Sequence, residues 1–162
     1  MSKNLQSTLM FAVVSAISFG VMMGPISMVS AAHPPQIFQA KLSGNNEVPP
    51  VTTSATGIAQ FQLSPDGKAL SYTLTVNNIN TVTMAHIHQG KAGENGQPVA
   101  PLSVGKGTIT SSDLIGPLAG KQVSDLVNLI NSGQAYANVH TEQHKNGEIR
   151  GQIFDVQGKA LP

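Results

Sequence analysis

The chain contains no cysteine among its 162 residues. A thiolate nucleophile, a thiolate metal ligand, a disulfide and a lipid-modified cysteine are therefore all excluded. A metal ion would have to be held by histidine, aspartate, glutamate or backbone oxygen, and covalent catalysis would need serine, threonine or lysine. A domain of this composition that enters an oxidising compartment depends on its hydrophobic core alone.

Positive charge is also scarce, since Arg150 is the only arginine and no basic run occurs. Without Lys3, eight basic residues balance eight acidic ones over residues 33–162. This balance argues against nucleic acid as a partner. Paired carboxylates, a nucleophile-elbow serine and a phosphate-binding glycine loop are missing as well, so we do not expect hydrolase chemistry.

The first 32 residues have the pattern of an export signal. Lys3 supplies a positive start, residues 9–29 are mostly apolar, and the small residues that follow suit a signal-peptidase cut after Ala31 or Ala32. The alternative is an uncleaved membrane anchor, since about 21 residues can span a bilayer, although glycine and proline interrupt this stretch. We expect residues 1–32 to be a signal peptide and residues 33–162 to be one domain of a secreted or cell-surface protein.

The expected mature part has the alternation of β-strands. The clearest case is residues 70–76, where Leu70, Tyr72, Leu74 and Val76 alternate with polar residues, which is the period of a half-buried strand. An Asp66-Gly67 pair before it favours a tight turn. The predicted strands are Gln36–Leu42, Ile58–Leu63, Leu70–Val76, Val82–His88, Val99–Leu102, Gly105–Thr110, Tyr136–Thr141 and Glu148–Val156.

One segment departs from this alternation. The apolar residues Val123, Leu126, Val127 and Ile130 follow helical spacing, and Gly133 is well placed to end a helix. We therefore predict an all-β fold, an antiparallel β-sandwich of about seven or more strands with one short helix packed on it.

Four histidines are the most informative residues for function. His86 and His88 lie two apart on a predicted strand, so their side chains share one face. His140 lies on another predicted strand, and His144 follows at the start of a turn, where alternation does not fix its direction. If the two strands are close, up to four imidazoles could converge on one point.

Such a cluster has two interpretations. Imidazole is the commonest side-chain ligand of transition metals, and an all-imidazole site suits copper first and zinc second. The alternative is structural: the imidazoles bind backbone carbonyls and hold the glycine-rich loop at residues 90–97. We take His86, His88, His140 and His144 as the candidate metal ligands, and we assign no catalytic residue.

Two further residues have open roles. His33 would become the first residue after a cut at Ala32, and its amine and imidazole could then chelate copper, although chain termini are usually disordered. Arg150 could steer an anion toward a metal. The simpler interpretation, which we favour, is that Arg150 pairs with Glu142 or Glu148 or serves as a planar donor that ties down the last hairpin.

Several separated motifs in this chain resemble those of the CHRD domain, the module named after chordin. The resemblance covers about residues 36–156, nearly all of the expected mature chain. The motifs occur in the right order along the sequence, and they are Leu42–Pro50, Thr56–Ala59, Ala85–Gly90, Asp113–Gly120, Asn138–Thr141 and Gly147–Ile153.

The resemblance implies an extracellular, immunoglobulin-like β-sandwich. In chordin the module repeats between cysteine-rich domains that bind growth factors, and this chain has no such segment, so that role is not carried over. A weaker resemblance links the His86-Ile87-His88 segment to the copper-binding strand of copper–zinc superoxide dismutases. Likeness of fold alone does not transfer activity.

Three functions remain open from the sequence. The first is a non-enzymatic module that binds an unidentified extracellular or cell-surface partner, with contact to a membrane only if the signal segment stays uncleaved. The second is a copper-handling protein that carries or buffers the ion. The third is a small dismutase-like metalloenzyme, which we favour least because the chain lacks the further histidines of a dismutase zinc site.

Overall fold

A computed structural model describes residues 35–156. The expected signal segment, its cleavage site and His33 lie outside the described residues. Within that range, no helix is both long enough and apolar enough to cross a membrane.

Nine strands and one α-helix form over the described residues, together with three 3-10 helices at Gly44–Asn46, Ser111–Asp113 and Gly116–Leu118. Every predicted strand and the predicted helix are present, with ends that shift by one or two residues. The exception is the last predicted strand, which is interrupted at Ile153. The elements are β1 Ile37–Ser43, β2 Thr56–Leu63, β3 Ala69–Asn77, β4 Val82–Gln89, β5 Pro98–Leu102, β6 Gly105–Thr110, α1 Val123–Asn131, β7 Ala135–Thr141, β8 Ile149–Gln152 and β9 Phe154–Asp155.

The strands pair in the order β5-β4-β7-β8-β1-β2-β3-β6, and the pairs are antiparallel. Strand β1 joins the two halves because β8 pairs with its end at Ser43 and β9 pairs with its beginning at Phe38. Ile153 separates β8 from β9, and its side chain is fully buried. The predicted all-β antiparallel sandwich with one short helix is confirmed.

The core lies between the two halves of the sheet. Ala59 and Phe61 on β2 and Leu74 on β3 meet Ile87 on β4 and Val139 on β7 in one buried cluster. Helix α1 adds its apolar side to that cluster, as its spacing predicts. At its start, Gln122 and Asp125 form a capping box in which the Asp125 carboxylate accepts a hydrogen bond from the Gln122 amide.

Candidate metal centre

The histidines of β4 lie on the face of the sheet that points away from the core. Ala85 and Ile87 are buried in the core, so strand alternation turns His86 and His88 to the opposite side. Strand β7 lies beside β4, with Asn138 opposite His86 and Tyr136 opposite His88. His140, two residues beyond Asn138, therefore shares this outer face.

Three of the four candidate ligands come together there. His86, His88 and His140 each offer a ring nitrogen, and these nitrogens lie within 4.8 Å of one another. The ring centroids form a nearly regular triangle with sides of 5.7, 5.7 and 5.8 Å. Nitrogens around an ion with bonds of about 2.0–2.1 Å lie roughly 3.4 Å apart, so small side-chain rotations would bring the three rings to a common ion.

Backbone carbonyls fix which nitrogen of two rings is free. The Nδ1 of His88 donates to the Gly96 carbonyl at 3.0 Å, and the Nδ1 of His140 donates to the Lys145 carbonyl at 3.0 Å. A carbonyl can only accept, so in each neutral ring Nε2 carries the lone pair. Both Nε2 atoms are buried and have no hydrogen-bond partner within residues 35–156. Ligating histidines in metal sites show this same arrangement.

Burial keeps the three imidazoles neutral. It lowers the pKa of His88 to about 4, and the neighbouring His140, His86 and Arg150 add to the shift, although the hydrogen bond to Gly96 opposes it. Burial also lowers the pKa of His86 and of His140. A neutral imidazole is the form that binds a metal, so no proton would have to leave these rings for an ion to bind at neutral pH.

His144 does not belong to this group. It lies at the turn after β7, where its backbone amide donates to the Thr141 hydroxyl at 3.2 Å. Its side chain lines a separate groove of about 430 Å³ between residues 47–51 and residues 142–147.

Arg150 has partners that the sequence did not predict. Its side chain is 2% exposed, and its guanidinium donates to the carbonyls of Lys91 and Glu94 at 2.8 Å each and to the Asn95 side chain at 3.3 Å. The favoured interpretation holds in part: Arg150 is a planar donor, but it ties down the loop after β4 rather than the last hairpin, and Glu148 instead accepts from the hydroxyls of Thr53 and Thr141. A guanidinium buried and bonded in this way is poorly placed to steer an anion.

Tyr136 links Arg150 to the histidines. Its ring is stacked on His88, with centroids 5.1 Å apart and planes 15° apart, and the Arg150 guanidinium lies 3.4 Å from its centroid. Its hydroxyl accepts from the Gly96 amide at 3.1 Å, and Gly96 is the residue whose carbonyl holds His88. The stacking follows from the β4–β7 register, in which Tyr136 lies opposite His88, whereas the Gly96 contact depends on a loop that folds over the strand and is not visible in strand alternation.

Glu47 is the other residue that the sequence did not single out. It follows the first 3-10 helix, is buried, and accepts a hydrogen bond from Asn138 at 2.6 Å. Burial raises the pKa of Glu47 to about 7, against the hydrogen bond from Asn138 and the charge of Arg150, which both lower it. A buried polar row thus runs beside the histidines, from Asn138 to Glu47 and Arg150.

The CHRD domain family model matches residues 38–153, and the chain belongs to that family. The match spans β1 to β8, apart from Ile37 at the start of β1, and it includes all three clustered histidines. No curated protein and no solved structure shows a significant match to the chain.

Proposed function

We propose that this CHRD domain protein is an exported, non-enzymatic binding module whose ligand is one transition-metal ion, held by His86, His88 and His140. The observation that carries the proposal is the pair of buried Nε2 atoms on His88 and His140, which have no hydrogen-bond partner within the described residues. Burying a polar group without a partner costs free energy, so such a pair calls for a ligand. A metal ion would supply that ligand to both atoms at once.

Copper is the first candidate for the ion, and zinc is the second. Imidazole suits both metals, and copper forms the more stable complexes at a given set of nitrogen donors. The structural alternative, in which the rings only hold loops, accounts for both Nδ1 atoms but leaves both Nε2 atoms unexplained. The metal interpretation accounts for all four atoms.

A carrier or buffer fits the site better than an enzyme of dismutase type. Steering of an anionic substrate needs accessible positive charge near the metal. The nearest arginine, Arg150, is buried and bonded to the loop after β4. An unidentified extracellular or cell-surface partner that receives or delivers the ion is part of this proposal.

Metal titration by calorimetry at pH 7.5 tests the proposal. We expect the purified protein to bind one Cu²⁺ ion, and Zn²⁺ more weakly, in saturable fashion. The His86→Ala/His88→Ala variant should lose this binding, and His144→Ala should keep it, since His144 lies outside the cluster. The matched control is Gln60→Ala/Gln62→Ala, an identically spaced pair that is exposed on β2.

Two results would contradict the proposal. One is the absence of saturable binding by the unaltered protein. The other is equal loss of binding in the histidine and glutamine variants, which would indicate a general disturbance of the sheet. Circular dichroism of each variant shows whether the fold is kept.

A further inference from the structure

Met84 is the residue next to the histidine cluster that the proposed function does not use. It lies on β4 two residues before His86, and it stands directly opposite His140 in the register with β7. Residues in direct cross-strand register have Cβ atoms about 4.5–5.5 Å apart, and the long, flexible methionine side chain can reach further. Met84 is 51% exposed, so it lies at the open side of the cluster.

The backbone of β4 is irregular at this point. Between Val82 and Met84 the strand advances by two residues while β7 advances by one, from Thr141 to His140. This is a β-bulge, and Thr83 and Met84 are consequently both exposed, whereas Ala85 is again buried. Bulges are common beside functional sites because they redirect a side chain, and here the redirected side chain is a thioether.

Sulfur is otherwise scarce in this protein. The chain has no cysteine, and Met84 is the one methionine within residues 35–156. Three imidazoles alone accept Cu²⁺, Cu⁺ and Zn²⁺, whereas a thioether is a soft ligand that favours Cu⁺.

We infer that Met84 is the fourth ligand of the site and makes it selective for Cu⁺ over Zn²⁺. The inference rests on the proposed function, because it requires that His86, His88 and His140 bind an ion. In the Cu⁺ complex the Nε2 atoms of His88 and His140 and one ring nitrogen of His86 hold the ion from the sheet, and the Met84 sulfur closes the site from the solvent side. With Zn²⁺, water takes that position.

The test compares the unaltered protein with Met84→Leu, which removes the sulfur and keeps a similar apolar volume. The control is Ile58→Leu, because Ile58 is similarly exposed, at 44%, on the outer face of β2. Cu⁺ affinity is measured without oxygen by competition with a coloured Cu⁺ chelator, and Zn²⁺ affinity by competition with a coloured Zn²⁺ chelator. X-ray absorption of the Cu⁺ complexes reports whether sulfur is bound to copper.

We expect Met84→Leu to weaken Cu⁺ binding about tenfold or more and to change Zn²⁺ binding by less than about twofold. A copper–sulfur distance should appear in the spectrum of the unaltered protein and of Ile58→Leu and be missing from Met84→Leu. Unchanged Cu⁺ affinity, an equal loss for both metals, or a spectrum without sulfur would each overturn the role of Met84 and leave the three-histidine site standing. Failure of the unaltered protein to bind either ion would overturn both.

Discussion

The two outer faces of the sandwich differ in what covers them. On β2, β3 and β6 the outward side chains are mostly polar and remain in solvent, among them Gln60, Ser71 and Thr108, with Ile58 as an apolar exception. On β7 the outward side chains are also polar, yet every residue from Ala135 to Thr141 is buried. Polar character on an outward face therefore does not mean exposure. Within residues 35–156, the buried side-chain atoms without a hydrogen-bond partner belong to His88, His140 and Gln152, which all lie on the covered face.

Loops produce the difference, and each is tied to the covered face by a polar side chain. The loop after β4 is tied by Arg150 through the carbonyls of Lys91 and Glu94. The turn after β7 is tied by His140 through the Lys145 carbonyl. Because loops carry backbone groups that strands cannot satisfy, they need such donors, and the exposed face has no comparable cover.

Replacing Arg150 should have the largest effect on stability. Arg150→Met keeps the apolar stem but removes three hydrogen bonds and the contact with the Tyr136 ring. We expect the free energy of unfolding, measured in urea, to fall by about 3 kcal/mol. Lys106→Met on β6, in the exposed face, should change it by less than about 0.5 kcal/mol. A loss for Arg150→Met as small as the loss for Lys106→Met would mean that the loops over β7 contribute nothing to stability.

Replacing Glu47 should produce a pH-dependent effect. Its folded-state pKa is raised from 4.5 to about 7, so the stability it contributes is complete below pH 4.5 and is lost as the pH rises through 7. The Glu47→Gln variant cannot ionise at this position. We expect the difference in free energy of unfolding between this variant and the unaltered protein to shift in favour of the variant by about 2 kcal/mol between pH 4.5 and pH 8.

A carboxylate at the opposite end of the molecule gives the reverse sign. Asp66, in the turn between β2 and β3, accepts from the Ser64 hydroxyl and the Lys68 amide, and these bonds lower its pKa below 3.8. Its contribution to stability is present above pH 3.8 and is lost as the pH falls. Asp66→Asn should therefore be less stable than the unaltered protein at neutral pH, and this difference should disappear in acid. Urea unfolding at several pH values measures how the stability of the Glu47 and Asp66 variants changes with pH relative to the unaltered protein. Changes of the same sign for both variants would be evidence against the contrast between a buried Glu47 and an exposed Asp66.

The sequence predicted the elements and much of the site because both depend on local patterns. Alternation predicted that His86 and His88 share a face, and the nearness of β4 and β7 brought His140 to them. The last predicted strand was too long, since alternation does not reveal the break at Ile153, where the chain changes partner along β1.

What the sequence did not reveal depends on loops and on distant residues. Glu47 is 91 residues from Asn138, and Arg150 is 56 residues from Glu94, so no local spacing connects either pair. Their burial follows from loops folded over β7, and the sequence suggested Glu142 or Glu148 as partners of Arg150 where the structure has the loop carbonyls of Lys91 and Glu94. The bulge before Met84 was likewise not visible, because the polar and apolar residues around it have no special order.

The two tyrosines of the chain give the smallest and most selective contrast. Each accepts a backbone hydrogen bond, Tyr136 from Gly96 at 3.1 Å on the covered face and Tyr72 from Ser103 at 3.0 Å at the edge of the core. Replacing either by phenylalanine should lower the free energy of unfolding by about 1 kcal/mol. Only Tyr136→Phe releases the residue that orients His88, so it alone should weaken metal binding, by about tenfold, in a competition titration. Equal metal affinities for the two variants would mean that the loop around Gly96 covers the site without positioning its ligand.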